Sequence, residues 1–202
     1  MSKGEDTRRD IIGRAFSIAS EVGLEGLTLG VLAERAKLSK SGLFAHFKSK
    51  EALQLDVLER AIELFVENVV VPAVAKPRGE PRVKALIERY LTWIRGSEVS
   101  DKMGGCFFMS LAHEYDDRPG PLRDRLVQSQ REWHETLAKA ARLAVKEGHF
   151  RSDLDEAQFT FEVIGISMAF EQSFKLLTDP SAEKKARAAF EALLARCRRS
   201  RK

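Results

Sequence analysis

Apolar positions recur at spacings of three and four along nearly the whole chain, the periodicity of amphipathic helices. Ile11, Ile12, Ala15, Phe16, Ile18, Ala19 and Val22 share one helical face, with Thr7 placed to cap its start and Gly23 to end it. After a turn at Leu24–Gly26, Thr28 is set to cap a short helix carrying Val31, Leu32, Ala33 and Ala36. Lys37-Leu38-Ser39 forms the next turn, and Ser39 can cap a second short helix to about Phe47. Ser49 opens a longer helix through Leu53, Val57, Leu58, Ile62, Leu64, Phe65 and Val69, stopping near Pro72 and Pro77. Further on, the period predicts helices over Val83–Ile94, about Cys106–His113, Leu122 to about Lys146, Asp155–Leu177 and Ser181–Cys197. The breakers between them are Gly96-Ser97, Gly104-Gly105, Pro119-Gly120-Pro121, Gly148 and Asp179-Pro180. No segment alternates as a strand would, and no repeat is visible. The expectation is an all-α protein of about nine helices, with a basic tail from Arg196 to Lys202 that frays.

Pro72 to Pro81 reads as a seam between a small N-terminal part and a larger C-terminal one. The DNA-binding domain proper is expected over 1–50, and a helical ligand-binding and dimerisation domain over 51–202. At 202 residues the chain can build a full core, and its net charge of +4 permits a polyanionic partner without requiring one. Cys106 and Cys197 lie far apart in no metal-ligand spacing, which suits free thiols in a reducing compartment. The start of the chain has no apolar signal core, and no run of about 18 apolar residues could span a bilayer. The expected location is the bacterial cytoplasm, associated with the nucleoid when DNA is bound, with no membrane partner.

The placement of charge says more than its sum. Between Arg35 and Glu51 no carboxylate occurs, while Lys37, Lys40, His46, Lys48 and Lys50 do. Leu32, Ala33, Ala36, Leu38, Leu43 and Phe47 can form a small core with the first helix, and Ala33 lets the two short helices cross closely. The opposite face of the second short helix is then free to enter a major groove about 12 Å wide. This is the pattern of a helix-turn-helix. Lys40 and Ser41 stand at the leading end, where base edges are reached, and Gly42 lets the backbone approach. Phe44 can pack on a sugar or thymine methyl. His46, Lys50 and the amides near Thr28 and Ser49 suit phosphates. Leu43 and Phe47 are core residues, and Lys48 is solvated.

Residues 7–60 resemble the DNA-binding domain of the TetR (tetracycline repressor) family. The words that carry the resemblance are Ala15-Phe16, Gly23-Leu24-Glu25-Gly26-Leu27-Thr28, Leu32-Ala33-Glu34, the run Leu38 to Phe47, and Lys48-Ser49-Lys50-Glu51-Ala52-Leu53. The resemblance implies three N-terminal helices with a helix-turn-helix, a helical ligand-binding domain and a homodimer. It also implies that Lys40, Ser41 and Gly42 lie at the base-reading end, that Phe44, His46 and Lys50 grip the backbone, and that Thr28 meets a phosphate at a helix start; Ser39, the cap of the reading helix, is counted with them as a DNA-binding residue. The chain departs from the family pattern in three places. Phe44 stands where tyrosine is common, Gly30 where some members carry a polar contact, and Lys37 where glycine often sits. A left-handed Lys37 would cost about 1–2 kcal/mol.

The segment from Gly104 to Pro121 is similar to Gly-Gly-Cys and Arg-Pro-Gly-Pro segments in one branch of these regulators. Candidate ligand contacts for a small apolar or aromatic molecule are Trp93, Cys106, Phe107, Met109, His113, Trp133, Phe161, Ile164 and Met168, with Glu114 as a further polar group. Ordinary helix packing is the competing use of most of them. Cys106 lacks a second thiol or basic neighbour in sequence that would make it a redox sensor. His113, Glu114, Asp116 and Asp117 lack the second histidine of a metal site. No metal, cofactor or catalytic residue is expected, since there is no nucleophile elbow, phosphate loop or cofactor fingerprint. The helices Asp155–Leu177 and Ser181–Cys197 can pair with their copies across a two-fold axis as a four-helix bundle. The expected function is a small-molecule-responsive repressor, a homodimer on a palindromic operator in double-stranded DNA, released when a ligand shifts the fourth helix. The rival readings are a helical enzyme and a DNA-binding accessory protein without a ligand.

Overall fold

The computed structural model describes residues 3–96 and 106–199. The expected helix breakers Ser97, Gly104 and Gly105, and the end of the tail from Ser200 to Lys202, lie outside the described residues. The helices are α1 (Lys3–Val22), α2 (Leu29–Ala36), α3 (Lys40–His46), α4 (Lys50–Phe65), α5 (Val71–Val74), α6 (Glu80–Arg95), α7 (Phe107–Tyr115), α8 (Pro121–Lys146), α9 (Glu156–Glu171) and α10 (Ala182–Cys197). A π-helical turn, Val66–Val70, joins α4 to α5, and another, Gln172–Leu176, extends α9. Counting α4 to α5 as one continuous run, the described residues form nine helical bodies and no strand, as the periodicity predicts. An isolated antiparallel bridge joins Phe150 and Arg198.

One expected boundary moves. The first helix starts at Lys3 rather than at Thr7, with Glu5 and Asp6 in its first turn, where carboxylates complement the helix dipole. The helical run that begins at Lys50 ends at Val74, between the two prolines expected to stop it. Pro72 stands in the first turn of α5. The Asn68 carbonyl, in the π-helical turn before it, accepts from the Arg89 guanidinium at 3.5 Å.

The chain divides into two compact units: Met1–Leu64 with Phe107–Gln128, and Phe65–Cys106 with Ser129–Lys202. The division differs from a break after residue 50. The reason lies inside the first unit, where Leu53, Val57, Leu58 and Ala61 of α4 are fully buried together with Ala15, Leu24, Leu27 and Leu32. The α7 segment joins the same core, Phe107 packing edge-on against Phe16 at 5.2 Å. In the second unit, α9 packs on α10 and α6. Ile94, Phe150, Phe159, Val163 and Phe190 are buried there, and Gly79 turns at φ 93° beneath His149, whose ring leaves no room for a side chain.

Candidate nucleic-acid interface

The helix-turn-helix is built from caps. Thr28 Oγ1 accepts the Val31 N–H at 3.1 Å and Ser39 Oγ accepts the Gly42 N–H at 3.1 Å, so each short helix has one of its orphan donors satisfied. Between them Lys37 takes the left-handed conformation at φ 54°, and its N–H and that of Leu38 return to the end of α2. Leu38 and Ala36 are half-buried; Leu32, Ala33, Leu43 and Phe47 are buried. The guanidinium of Arg8 lies 5.4 Å from the centre of the Phe47 ring and pairs with Asp56.

With Leu43 and Phe47 turned inward, Lys40, Ser41, Gly42 and Phe44 are exposed, Phe44 by 59 %, and His46 is half-buried. Ser39 is exposed and Thr28 half-buried. Gly42 has a structural reason as well as a proposed functional one, since a Cβ there would stand 2.9 Å from the capping Ser39 hydroxyl. Lys50, at the start of α4, is already engaged, its Nζ lying 2.6 Å from Glu25 Oε1. That contact, the largest cause, holds the Glu25 carboxyl below its ordinary range.

Sequence reasoning missed what fixes this head. Glu114 of α7 accepts the backbone N–H groups of Leu24 at 3.1 Å and Glu25 at 2.6 Å, and Gln54 donates to the Leu24 carbonyl at 2.7 Å. Glu114 therefore ties down the turn between α1 and α2. A separation of ninety residues carries no local signal for such a bond.

The candidate ligand residues fall in both units. Trp93, Cys106 and Trp133 are buried in the second unit, where Phe65 meets Tyr90, Trp93 and Trp133 edge-on at 5.9, 5.4 and 5.0 Å. Tyr90 lies 5.1 Å from Trp133, and burial pushes its hydroxyl well up. The Trp133 Nε1–H is buried and has no hydrogen-bond partner among the described residues. Cys106 N–H donates to Glu171 at 2.7 Å. Phe107, half-buried Met109 and exposed His113 belong to the first unit. Ile164 is half-buried. Phe161, 72 % exposed, and Met168, 46 % exposed, correct the expectation that they face the interior. α9 is apolar on both sides, so periodicity could not say which side turns inward; Phe159, Val163, Ser167 and Phe170 do. Among the described residues no cluster of metal-ligating side chains occurs, and no helix is long and apolar enough to cross a membrane.

Two short capped helices around a tight turn, with one inward and one outward face on the second, define a helix-turn-helix DNA-binding protein. Residues 11–57 match the family described as bacterial regulatory proteins, tetR family, and residues 79–190 match the tetracyclin repressor-like C-terminal domain. The chain belongs to the TetR family of transcriptional regulators, which are DNA-binding proteins and not enzymes. Over 55 residues, 27 % of this chain and 25 % of the relative, it is 44 % identical to the class C tetracycline repressor protein of Escherichia coli. A TetR-family regulator from Cytophaga hutchinsonii superposes with a TM-score of 0.85 at 20 % identity, covering 100 % of this chain and 99 % of that one. A transcriptional regulator from Saccharomonospora viridis, solved in complex with choline, gives 0.79 at 18 % identity, covering 97 % and 100 %.

Proposed function

We propose that this regulator is a repressor that binds a palindromic operator as a homodimer in the bacterial cytoplasm and leaves it when a small molecule enters the C-terminal domain. The observation that carries the DNA-reading half is the sorting of α3, with Leu43 and Phe47 buried and Lys40, Ser41, Gly42 and Phe44 outward. Lys40, Ser41 and Gly42, following the Ser39 cap, read bases; Phe44, His46, Lys50 and the capped start at Thr28 meet the backbone.

Dimerisation is supported by the outward faces of α9 and α10. Phe161 and Met168 on α9 and Ala188, Ala192 and Ala195 on α10 are exposed apolar positions at helical spacing. Two such helices and their copies make a four-helix bundle. Two-fold symmetry then places half-sites about one helical turn, or a multiple of it, apart.

The ligand reading rests on the four rings of Phe65, Tyr90, Trp93 and Trp133, with the unpartnered Trp133 N–H beside them. α4 carries Lys50 at its first residue and Phe65 at its last, so a shift at the rings acts on the helix that holds the phosphate-facing lysine. A coupling of about 1–3 kcal/mol is enough for induction. The chain has two tryptophans, both in this cluster, so a ligand that reaches it changes the intrinsic emission.

The test is fluorescence polarisation with the DNA upstream of the protein's own gene, across a salt series, against a random duplex. Tight selective binding is expected, and Lys40→Ala is expected to narrow the gap between operator and random DNA. Unchanged selectivity in K40A would overturn the assignment of the reading face.

A further inference from the structure

Lys37, Lys40 and Lys48 make no ion pair among the described residues, but Lys50 does, and its partner is unusually well fixed. Glu25 Oε1 lies 2.6 Å from Lys50 Nζ. Its other oxygen accepts from the Tyr115 hydroxyl at 3.2 Å and faces the Arg118 guanidinium at 3.7 Å. Its own backbone N–H is held by Glu114 at 2.6 Å. Gly23, two residues before, turns at φ 79°, and a Cβ on it would already stand 3.4 Å from a Glu114 oxygen. An exposed carboxylate on a free loop would be an ordinary surface partner. This one is anchored through its backbone and through both oxygens.

We propose that Glu25 is a specificity-setting counter-charge, which keeps Lys50 off DNA of arbitrary sequence and yields it only when a correctly docked operator sets a phosphate beside the first turn of α4. The inference rests on the reading of Lys50 as a phosphate contact. Binding to random DNA is loose and places phosphates at varying distances, and a Coulomb attraction that varies in this way does not displace a carboxylate fixed at contact. In the operator register the phosphate also meets the positive end of the α4 dipole, so the exchange is favoured there. Glu25 keeps Tyr115 and Arg118 when Lys50 leaves, so the exchange strands no charge.

The experiment is a double-mutant cycle of wild type, Glu25→Gln, Lys50→Ala and the double variant, titrated with a random-sequence duplex across a salt series. Wild type and K50A are expected to have nearly the same salt slope, because Lys50 is not in use there. E25Q is expected to bind random DNA about fivefold more tightly at low salt, with a slope steeper by about 0.9, the signature of one added phosphate contact. The double variant is expected to return to the wild-type slope. Equal slopes for E25Q and wild type would overturn the inference, as would a steeper slope that survives in the double variant, because the gain would then come from lost repulsion alone. K50A is also titrated on the operator. A loss of affinity there, with no effect of E25Q on random DNA, sinks the counter-charge and leaves the phosphate contact standing. No loss there removes the phosphate contact itself, and the inference with it.

Discussion

Replacing Phe161 by glutamate separates assembly from folding, because the side chain is 72 % exposed in the single chain and its loss leaves no hole in the core. An aromatic side chain offers roughly 200 Å² for burial, so about 140 Å² of Phe161 awaits a partner. At about 25 cal/mol per Å² this is about 3.5 kcal/mol for each copy if all of it is covered. A two-fold axis uses the residue twice, so even half coverage is worth about 3.5 kcal/mol per dimer, a several-hundredfold change in the dissociation constant. The introduced carboxylates add desolvation and mutual repulsion to that loss. Sedimentation velocity over a concentration series reads the assembly, and far-UV circular dichroism with urea unfolding of the dissociated variant reads the fold. F161E is expected to sediment as a monomer with wild-type helix content, and to lose operator affinity because one head alone covers only a half-site. A variant that remains dimeric with wild-type affinity would refute the assignment of the α9 face.

Two further outcomes follow from backbone and charge. Lys37→Gly relieves a left-handed lysine at φ 54°, a strain of about 1–2 kcal/mol, and adds back part of that as unfolded-chain entropy, so urea unfolding is expected to show a net gain of about 0.5–1 kcal/mol; a loss would mean that Lys37 makes contacts worth more than the strain. Asp179, at the turn before α10, is lowered from its ordinary 3.8 to about 2, first by the bond from Lys185 and then by those from Ser181. Its folded-state pKa lies below the unfolded one, so its contribution is complete above pH 3.8 and is lost as pH falls toward 2. Between those values the stability of wild type is expected to fall more steeply than that of Asp179→Asn, and equal slopes would count against a stabilising role for these bonds.

Much of the reading head could be read directly from the residues because its signals are local. Thr28 and Ser39 precede their helices at capping distance, and both cap the N–H three residues on. The motif's small core needs only the helical period to be recognised, and Leu32, Leu43 and Phe47 are buried as that period requires. The helix ends from Glu80 onward fall within a few residues of their Gly, Pro and capping signals, because breakers act on their own neighbourhood.

The sequence by itself therefore determined an all-α chain, most of its helix boundaries, the helix-turn-helix and the family, since caps, periodicity and turn residues act within a few positions of where they are written. The tertiary structure alone decided the rest. It placed the α7 segment with the N-terminal unit, set Glu114 on the turn between α1 and α2, bound Lys50 to Glu25, and turned Phe161 and Met168 outward. A helix as apolar on both sides as α9 carries no mark of its inner face, and a carboxylate carries none of which backbone amide it will meet ninety residues away. Those choices are made only when the helices pack.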